Sequence, residues 1–303
     1  MFVMITKLDN LFGVLKSRPS KRLIGAYACD SHTLDAIYKA INLGIVEATI
    51  VGDTNLIEQT CKKDNLDMSK FTVVHEPVDV KAAAKAVDMI NKGEGNLLMK
   101  GLLSTDKYMR AILNKENGLV PPKAVLSHVT VIENPNYHKL LVVGDVAIIP
   151  QPDFSQKVAI AKYLINTAKG LGIETPKLAV IAATEQVMEK MQACVDASIL
   201  AKMGDRGQLG KVIIDGPLSF DLAVDKESVE IKGLKSPVAG DADCLLFPNI
   251  ESGNVFYKTN TKFCGAELGA FVAGAKCPCV LSSRGDSVKT KLYSIALSAL
   301  LAK

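Results

Sequence analysis

Between Asp243 and Ser287 the chain carries two stretches built on one pattern, and both have the residue types to bind an anion. The first runs Asp243-Cys244-Leu245-Leu246-Phe247-Pro248-Asn249, then Glu251-Ser252-Gly253-Asn254-Val255-Phe256-Tyr257-Lys258. The second runs Val280-Leu281-Ser282-Ser283-Arg284-Gly285-Asp286-Ser287. In each, a short apolar run with the character of a buried strand ends in a polar, glycine-bearing turn, and a helical pattern follows. In an open parallel sheet, ligands sit beyond the carboxyl ends of strands, where such turns and helix N-termini present backbone N–H groups. Arg284, at a strand end between Ser283 and Gly285, suits a two-pronged contact with a phosphate; the plain alternative is a salt bridge. Lys258 either meets an anion or is simply solvated. Asn254 either donates an amide hydrogen bond to a ligand or caps the Glu251–Tyr257 turn.

A third candidate is Lys100-Gly101-Leu102-Leu103-Ser104-Thr105, which opens a helix carrying Arg110. Ser104 or Thr105 serves as the N-cap, or the helix N-terminus and these hydroxyls hold a phosphate; the residue types fit both readings. Asp145, in Gly144-Asp145-Val146, has the setting of a turn or cap aspartate. His128 and His138 sit in strand-like runs, where a lone histidine is more often structural or solvent-facing than catalytic.

The elements that must position these residues alternate. Strand-like runs at Leu23–Ala28, Glu47–Val51, Phe71–His75 and Asn96–Lys100 are separated by helical patterns, with Ser31 as a plausible N-cap and Gly44 closing the first helix. An Ala-rich helix spans Val78–Asn91. This rhythm predicts right-handed βαβ units on a largely parallel sheet, an α/β protein. Ala124–Glu133 and Lys139–Asp145 break the rhythm as a hairpin-like pair and mark a domain crossover. Further on come a strand at Lys177–Ala183, a helix from Gln186 to Met203, a strand at Val212–Asp215, and a surface loop or flap at Ser228–Val238. The last helix, Ser287 to Leu300, is expected to pack back on the N-terminal domain. The expected organisation is therefore a discontinuous domain of residues 1–135 plus 285–303, and a second domain of residues 136–284.

Composition bounds the function. The 303 residues are 48% hydrophobic and 22% charged, which places the chain among globular proteins rather than disordered ones. A formal charge of +4 permits an anionic substrate but falls far short of a nucleic-acid footprint, and Trp is absent. Seven dispersed cysteines, with no Cys-x-x-Cys pair, fit reduced thiols in the cytoplasm. No signal-peptide core or 18-residue apolar window is present, so neither export nor membrane insertion is expected. Dinucleotide and P-loop fingerprints are missing, and so are a His-Glu-x-x-His and a Gly-x-Ser-x-Gly motif. The four histidines are too scattered to suggest a zinc site, and no metal or bound cofactor is expected.

The stretches "LFPNIESGNVFYK" and "SSRGDS" resemble the C-terminal motifs of the phosphate acetyltransferase and phosphate butyryltransferase family. From about Gly95 onward the likeness continues through Ser104-Thr105 with Arg110. It takes in the turn from Asp145 through Ala147 to Pro150 and Pro152, the Lys190–Ala197 segment, and Asp215-Gly216 followed by Asp221 and Ala223. Ser283-Arg284-Gly285-Asp286-Ser287 and the following Lys291-Leu292-Tyr293-Ser294 are closer to the butyryl branch. The resemblance implies the two-domain fold shared by phosphotransacetylases and isocitrate dehydrogenase-like enzymes, with a cleft between domains. It also implies a homodimer or higher homo-oligomer, with the second domain carrying the interface.

The implied reaction is acyl-CoA plus phosphate to acyl phosphate plus CoA, for a butyryl or similar short acyl group. Coenzyme A is a substrate here and not a bound cofactor, and the attack is direct, in a ternary complex. Ser283 then matches the family serine that hydrogen-bonds the thiol or the developing charge. Arg284, Arg110, Ser104 and Thr105 form the phosphate side, and Asp145 and Asp215 wall the cleft. Lys258 meets phosphate or CoA anions. The acetyl branch places its base, an aspartate, seven residues after the motif serine; here that position is Thr290. Asp286 is the substitute base or merely the acidic start of the last helix, and Glu185 is a further carboxylate candidate. The rivals are acetyl transfer, a metal- and NAD-dependent hydroxyacid dehydrogenase on the same fold, and a non-catalytic CoA-binding protein.

Overall fold

The computed structural model describes residues 4–281 and 285–303. Two compact units divide the chain: Leu8–Leu126 with Leu268–Lys303, and Met1–Lys7 with Ser127–Glu267. The first opens with α1 (Asn10–Lys16), then β1 (Lys21–Ala26), α2 (Ser31–Asn42), β2 (Val46–Gly52), α3 (Thr54–Asp64), β3 (Phe71–His75), α4 (Asp79–Asn91), β4 (Leu97–Lys100) and α5 (Thr105–Ile112). The chain then builds the other unit. It comprises β5 (Ser127–Glu133), β6 (Leu141–Gly144), α6 (Phe154–Gly170), β7 (Lys177–Ile181), α7 (Gln192–Asp205), β8 (Ile213–Leu218), α8 (Phe220–Val224), α9 (Lys226–Lys232), β9 (Cys244–Leu246) and α10 (Ile250–Lys262). It returns through β10 (Glu267–Ala273), β11 (Cys279–Val280) and α11 (Val288–Leu301).

In the first unit the strand order is β3-β2-β1-β4-β11-β10, parallel except that β10 runs against β11. The helices earn their places by apolar spacing. Leu34, Ile37 and Ala40 of α2 are fully buried, and so are Ala82 and Ala86 of α4. Each buried Leu or Ile contributes about 1.5–3 kcal/mol, enough to override the weak helix propensity of the Ser31-His32-Thr33 start. As expected, α11 packs within this unit, against α2 and α1. Tyr293 stacks on Phe12 at 5.6 Å and donates its hydroxyl to Asp9 at 2.6 Å.

The other unit orders its strands β5-β6-β9-β7-β8. The hairpin expectation holds, with β5 and β6 antiparallel, while β6, β9, β7 and β8 are parallel. At the amino ends of these strands, Asp241 accepts from Lys177, Lys139 and His138, and Asp243 pairs with Lys139 at 2.7 Å.

Three local expectations need correction, and one strand was not anticipated. Asp30, not Ser31, caps α2, because its carboxylate accepts the Thr33 N–H at 3.0 Å. Helix α7 starts at Gln192 instead of Gln186, since residues 184–191 run through bends and a turn. The presumed flap at 228–238 contains most of α9, capped by Asp225. The strand β10, which the sequence reading did not place, carries Gly269, which lets it lie against the Tyr293 carbonyl, 2.9 Å from where a Cβ would stand.

Candidate functional site

Strand order in the first unit runs β3-β2-β1 and then jumps to β4, so the order reverses between β1 and β4. A parallel sheet opens its ligand crevice outside the carboxyl ends of two such strands. The turns leaving them are laced together: Gly101 donates its N–H to Ala26 O at 2.9 Å, and Leu102 to Tyr27 O at 2.8 Å. A Cβ on Gly101 would stand 2.3 Å from both Tyr27 O and Ala28 Cα, so only glycine permits this approach. Tyr27 itself holds a left-handed φ of 51°.

Over these turns lies a cavity of about 290 Å³, lined by Asp30, Ser31, His32, Thr33, Lys100, Gly101, Leu102 and Lys291. Lys100 ends β4 and Lys291 lies in the first turns of α11; each is only 3% exposed. The Lys100 Nζ donates to Gly101 O at 3.4 Å. Burial pulls the Lys291 ammonium below the ordinary lysine pKa, while the charges of Asp30 and Asp286 work in the opposite direction. The result is two buried cations facing one small, polar space.

Of the residues singled out from sequence, Asp286 is half-buried and does not line the cavity, though its charge acts on Lys291, which does. Ser283 and Arg284 lie outside the described residues. Thr290 takes part in the cap of α11, its N–H and its hydroxyl each 3.0 Å from Ser287 Oγ. Ser104 caps α5 by accepting the Lys107 N–H at 3.3 Å. Thr105 is the exposed first residue of that helix. Arg110 is exposed and forms an i,i+4 pair with Asp106 at 2.9 Å.

In the other unit, Asp145 is buried and its carboxylate accepts from the N–H groups of Ala147, Ile148, Ile149 and His128, the turn-organising role. Asn254 donates its amide to Val146 O at 2.9 Å, while the cap of α10 is Asn249, which accepts from Ser252 N. Gly253 makes that junction possible. A Cβ there would stand 2.3 Å from Asp145 O. Lys258 is exposed, its Nζ 5.1 Å from the Tyr257 ring centroid. Asp215 lies on β8 and accepts from Gly216 N at 2.8 Å. Asp221 pairs with Lys232 at 2.9 Å, the same lysine that the charge of Glu185 reaches. His138 is committed to Asp241 at 2.8 Å, and His128 sits 3.3 Å from the Thr130 hydroxyl.

Sequence reasoning passed over Lys100, Lys291, Asp30 and Thr33 as site residues. The signal was present in part. Lys100 closes the run Leu97-Leu98-Met99, and Lys291 interrupts the buried face of α11; a lysine among buried positions needs a polar reason to be there. Among the described residues, no group of three His, Cys, Asp or Glu side chains is placed to hold a metal ion. Nor is any helix there long and apolar enough to cross a membrane.

Residues 69–299 match the family described as phosphate acetyl/butaryl transferase. A phosphate butyryltransferase from Clostridium acetobutylicum is 41% identical over 299 residues, 99% of each chain. A phosphate acetyltransferase from Rhizobium meliloti is 36% identical over 297 residues, 98% of this chain and 94% of the other. Among solved structures, a branched-chain phosphotransacylase from Enterococcus faecalis V583 superposes with a TM-score of 0.81 at 30% identity, covering 93% of this chain and 98% of that one.

Proposed function

This chain belongs to the phosphate acetyltransferase and butyryltransferase family, and from that premise we propose that it transfers a butyryl or similar short acyl group reversibly between coenzyme A and inorganic phosphate. The observation that carries the reading is 41% identity to a phosphate butyryltransferase sustained over 99% of both chains. It also decides against the dehydrogenase and the non-catalytic CoA-binding alternatives. In the forward direction a phosphate oxygen attacks the thioester carbonyl. The tetrahedral intermediate collapses, the C–S bond breaks, and CoA leaves as a thiolate that takes up a proton. In reverse the thiol gives up that proton and attacks the acyl phosphate. No covalent enzyme intermediate is needed, and holding both substrates in register removes much of the barrier.

In this reading Arg284 grips the phosphoryl oxygens, Ser283 hydrogen-bonds the thiol or the oxyanion, and Asp286 accepts the thiol proton. Asp286 is preferred over Glu185 because it stands three residues after Ser283 in the same motif. Thr290, occupied with the helix cap, is no base. A CoA thiol with a pKa near the free-cysteine value of about 8.5 is already a few per cent ionised at neutral pH, so a weak base suffices. We also take the protein to be a cytoplasmic homodimer that needs no metal or bound cofactor. Exposed Val187, Ile231, Val255 and Phe263, all in the Ser127–Glu267 unit, and seven free cysteines support the dimer and the reducing compartment.

The deciding experiment is thiol release from butyryl-CoA with and without inorganic phosphate, set beside acetyl-CoA. Phosphate-dependent release that favours butyryl-CoA is expected. A preference for acetyl-CoA moves the protein to the acetyl branch, and the absence of phosphate-dependent release from any short acyl-CoA overturns the reading.

A further inference from the structure

We propose that the crevice at the β1/β4 reversal is the seat of the reaction's phosphoryl group, held by Lys100, Lys291 and the hydroxyl of Thr33. The inference rests on the acyltransfer reading and adds a site to it. Thr33 lines the cavity, is 1% exposed, and its Oγ1 is buried with no hydrogen-bond partner among the described residues. A buried hydroxyl in that state carries a desolvation penalty, which an anion's oxygen accepting its proton would remove. Thr33 also lies in the first turn of the 12-residue α2, whose N-terminus favours negative charge. From β4 and α11 come the two ammonium groups of Lys100 and Lys291, both buried. Three elements from distant parts of the chain thus converge on the cavity, each with a group that favours an anion.

The carboxylate in the lining does not cancel this arrangement. Asp30 is engaged by the Thr33 N–H it caps and by the field of Lys291. Size also selects. At about 290 Å³ the cavity sits at the low edge of the roughly 300–1,000 Å³ of ligand pockets, a fit for a phosphoryl group with a short acyl tail.

The phosphoryl group has two sources, inorganic phosphate with its acyl ester, or a phosphate of coenzyme A. Lys100→Met, Lys291→Met and Thr33→Val are compared with wild type in steady-state assays that vary phosphate and butyryl-CoA separately. The lysine variants should raise KM for phosphate roughly 10- to 100-fold, and Thr33→Val a few-fold, with KM for butyryl-CoA unchanged. Because Thr33→Val removes a hydroxyl that has no partner among the described residues, its unfolding midpoint should stay level or rise. It therefore keeps the test alive if a lysine variant fails to fold. An unchanged KM for phosphate in the folded variants overturns the proposal. So does a rise in KM confined to butyryl-CoA that vanishes with a butyryl-pantetheine thioester, which would give the crevice to the CoA phosphates. Calorimetric titration of wild type and Thr33→Val with inorganic phosphate alone separates the two readings. Weaker binding by the variant supports the crevice even if thiol release fails, and equal binding or none counts against it.

Discussion

Gly253→Ala sets helix propensity against packing. Gly253 lies inside α10, where alanine is normally the better residue by about 0.8–1.0 kcal/mol. In this fold the new Cβ would stand 2.3 Å from the Asp145 carbonyl oxygen, about 1 Å inside the 3.4 Å at which ordinary contact begins, and 3.3 Å from the Phe247 ring. The obstacle is backbone, fixed by four N–H groups on the Asp145 carboxylate and by Asn254 on Val146 O. Relieving the overlap means shifting α10 or the turn. Overpacking of this kind costs about 1–3 kcal/mol, and a weakened hydrogen bond to the carboxylate about 1.5–3 more. Set against the propensity gain, the net expectation is a loss of about 1.5–5 kcal/mol. Gly13→Ala is the control: it lies exposed in α1 with nothing within 4 Å of its Cβ, and should gain about 0.5–1 kcal/mol. Urea unfolding of both variants against wild type measures the pair. A Gly253→Ala protein as stable as wild type would refute the argument that the Asp145 turn, and not helix preference, dictates this glycine.

Other consequences follow from the ion pairs. Lys157 and Asp196 are both buried and paired at 2.6 Å, so Lys157→Met strands a buried carboxylate and should cost about 3–5 kcal/mol; a loss under about 1 kcal/mol in denaturant titration would contradict this. Burial alone would raise the Asp241 pKa, but hydrogen bonds from Lys177, Lys139 and His138 outweigh it and hold the carboxyl well below the usual range. Its stabilisation is therefore present above the unfolded-state value of about 3.9 and is lost as pH falls through the lower folded-state value. Asp241→Asn should accordingly melt lower than wild type at pH 7, with the gap closing on acidification below about pH 4, and a gap constant from pH 7 to pH 3 would count against it. Arg110 and Asp106 form an exposed pair, so Arg110→Ala should shift stability by less than about 0.5 kcal/mol. Any large loss of thiol release in that variant would then report on substrate.

Local pattern carried much of this protein. The alternation that separates Leu23–Ala28 from Glu47–Val51 reads as strands because those runs lie inside a parallel sheet, where apolar stretches are favoured, whereas Phe71–His75 forms the sheet edge with only Phe71 buried. The hairpin around Asn134-Pro135 was legible from turn chemistry. The family motifs in residues 243–287 were legible as strings of residues, and the family match bears out the kinship they suggested. Helix α7 was drawn six residues too long at its start because Gln186–Met191 has helix-compatible composition. Strand β10 was missed because Gly-Ala-rich sequence has weak strand propensity, and there close approach to Tyr293 outweighs it.

The candidate residues divide along the same line. Ser104, Asp145 and Asn254 could be named from their types, yet whether such a side chain serves a ligand or its own backbone depends on which N–H or carbonyl lies within 3 Å or so. Here the partners are Lys107 N, the 147–149 amides and Val146 O. Lys100, Lys291 and Thr33 stand far apart in the chain, and no periodicity relates them. By itself the sequence determined most of the order of strands and helices, the turn-forming glycines and the family, since these depend on neighbours within a few residues. Only the tertiary structure decided that β4 lies beside β1, and that α11 returns to set Lys291 over the end of both strands. Burial and charge convergence are properties of packed space, and the spacing of residues along a chain does not contain them.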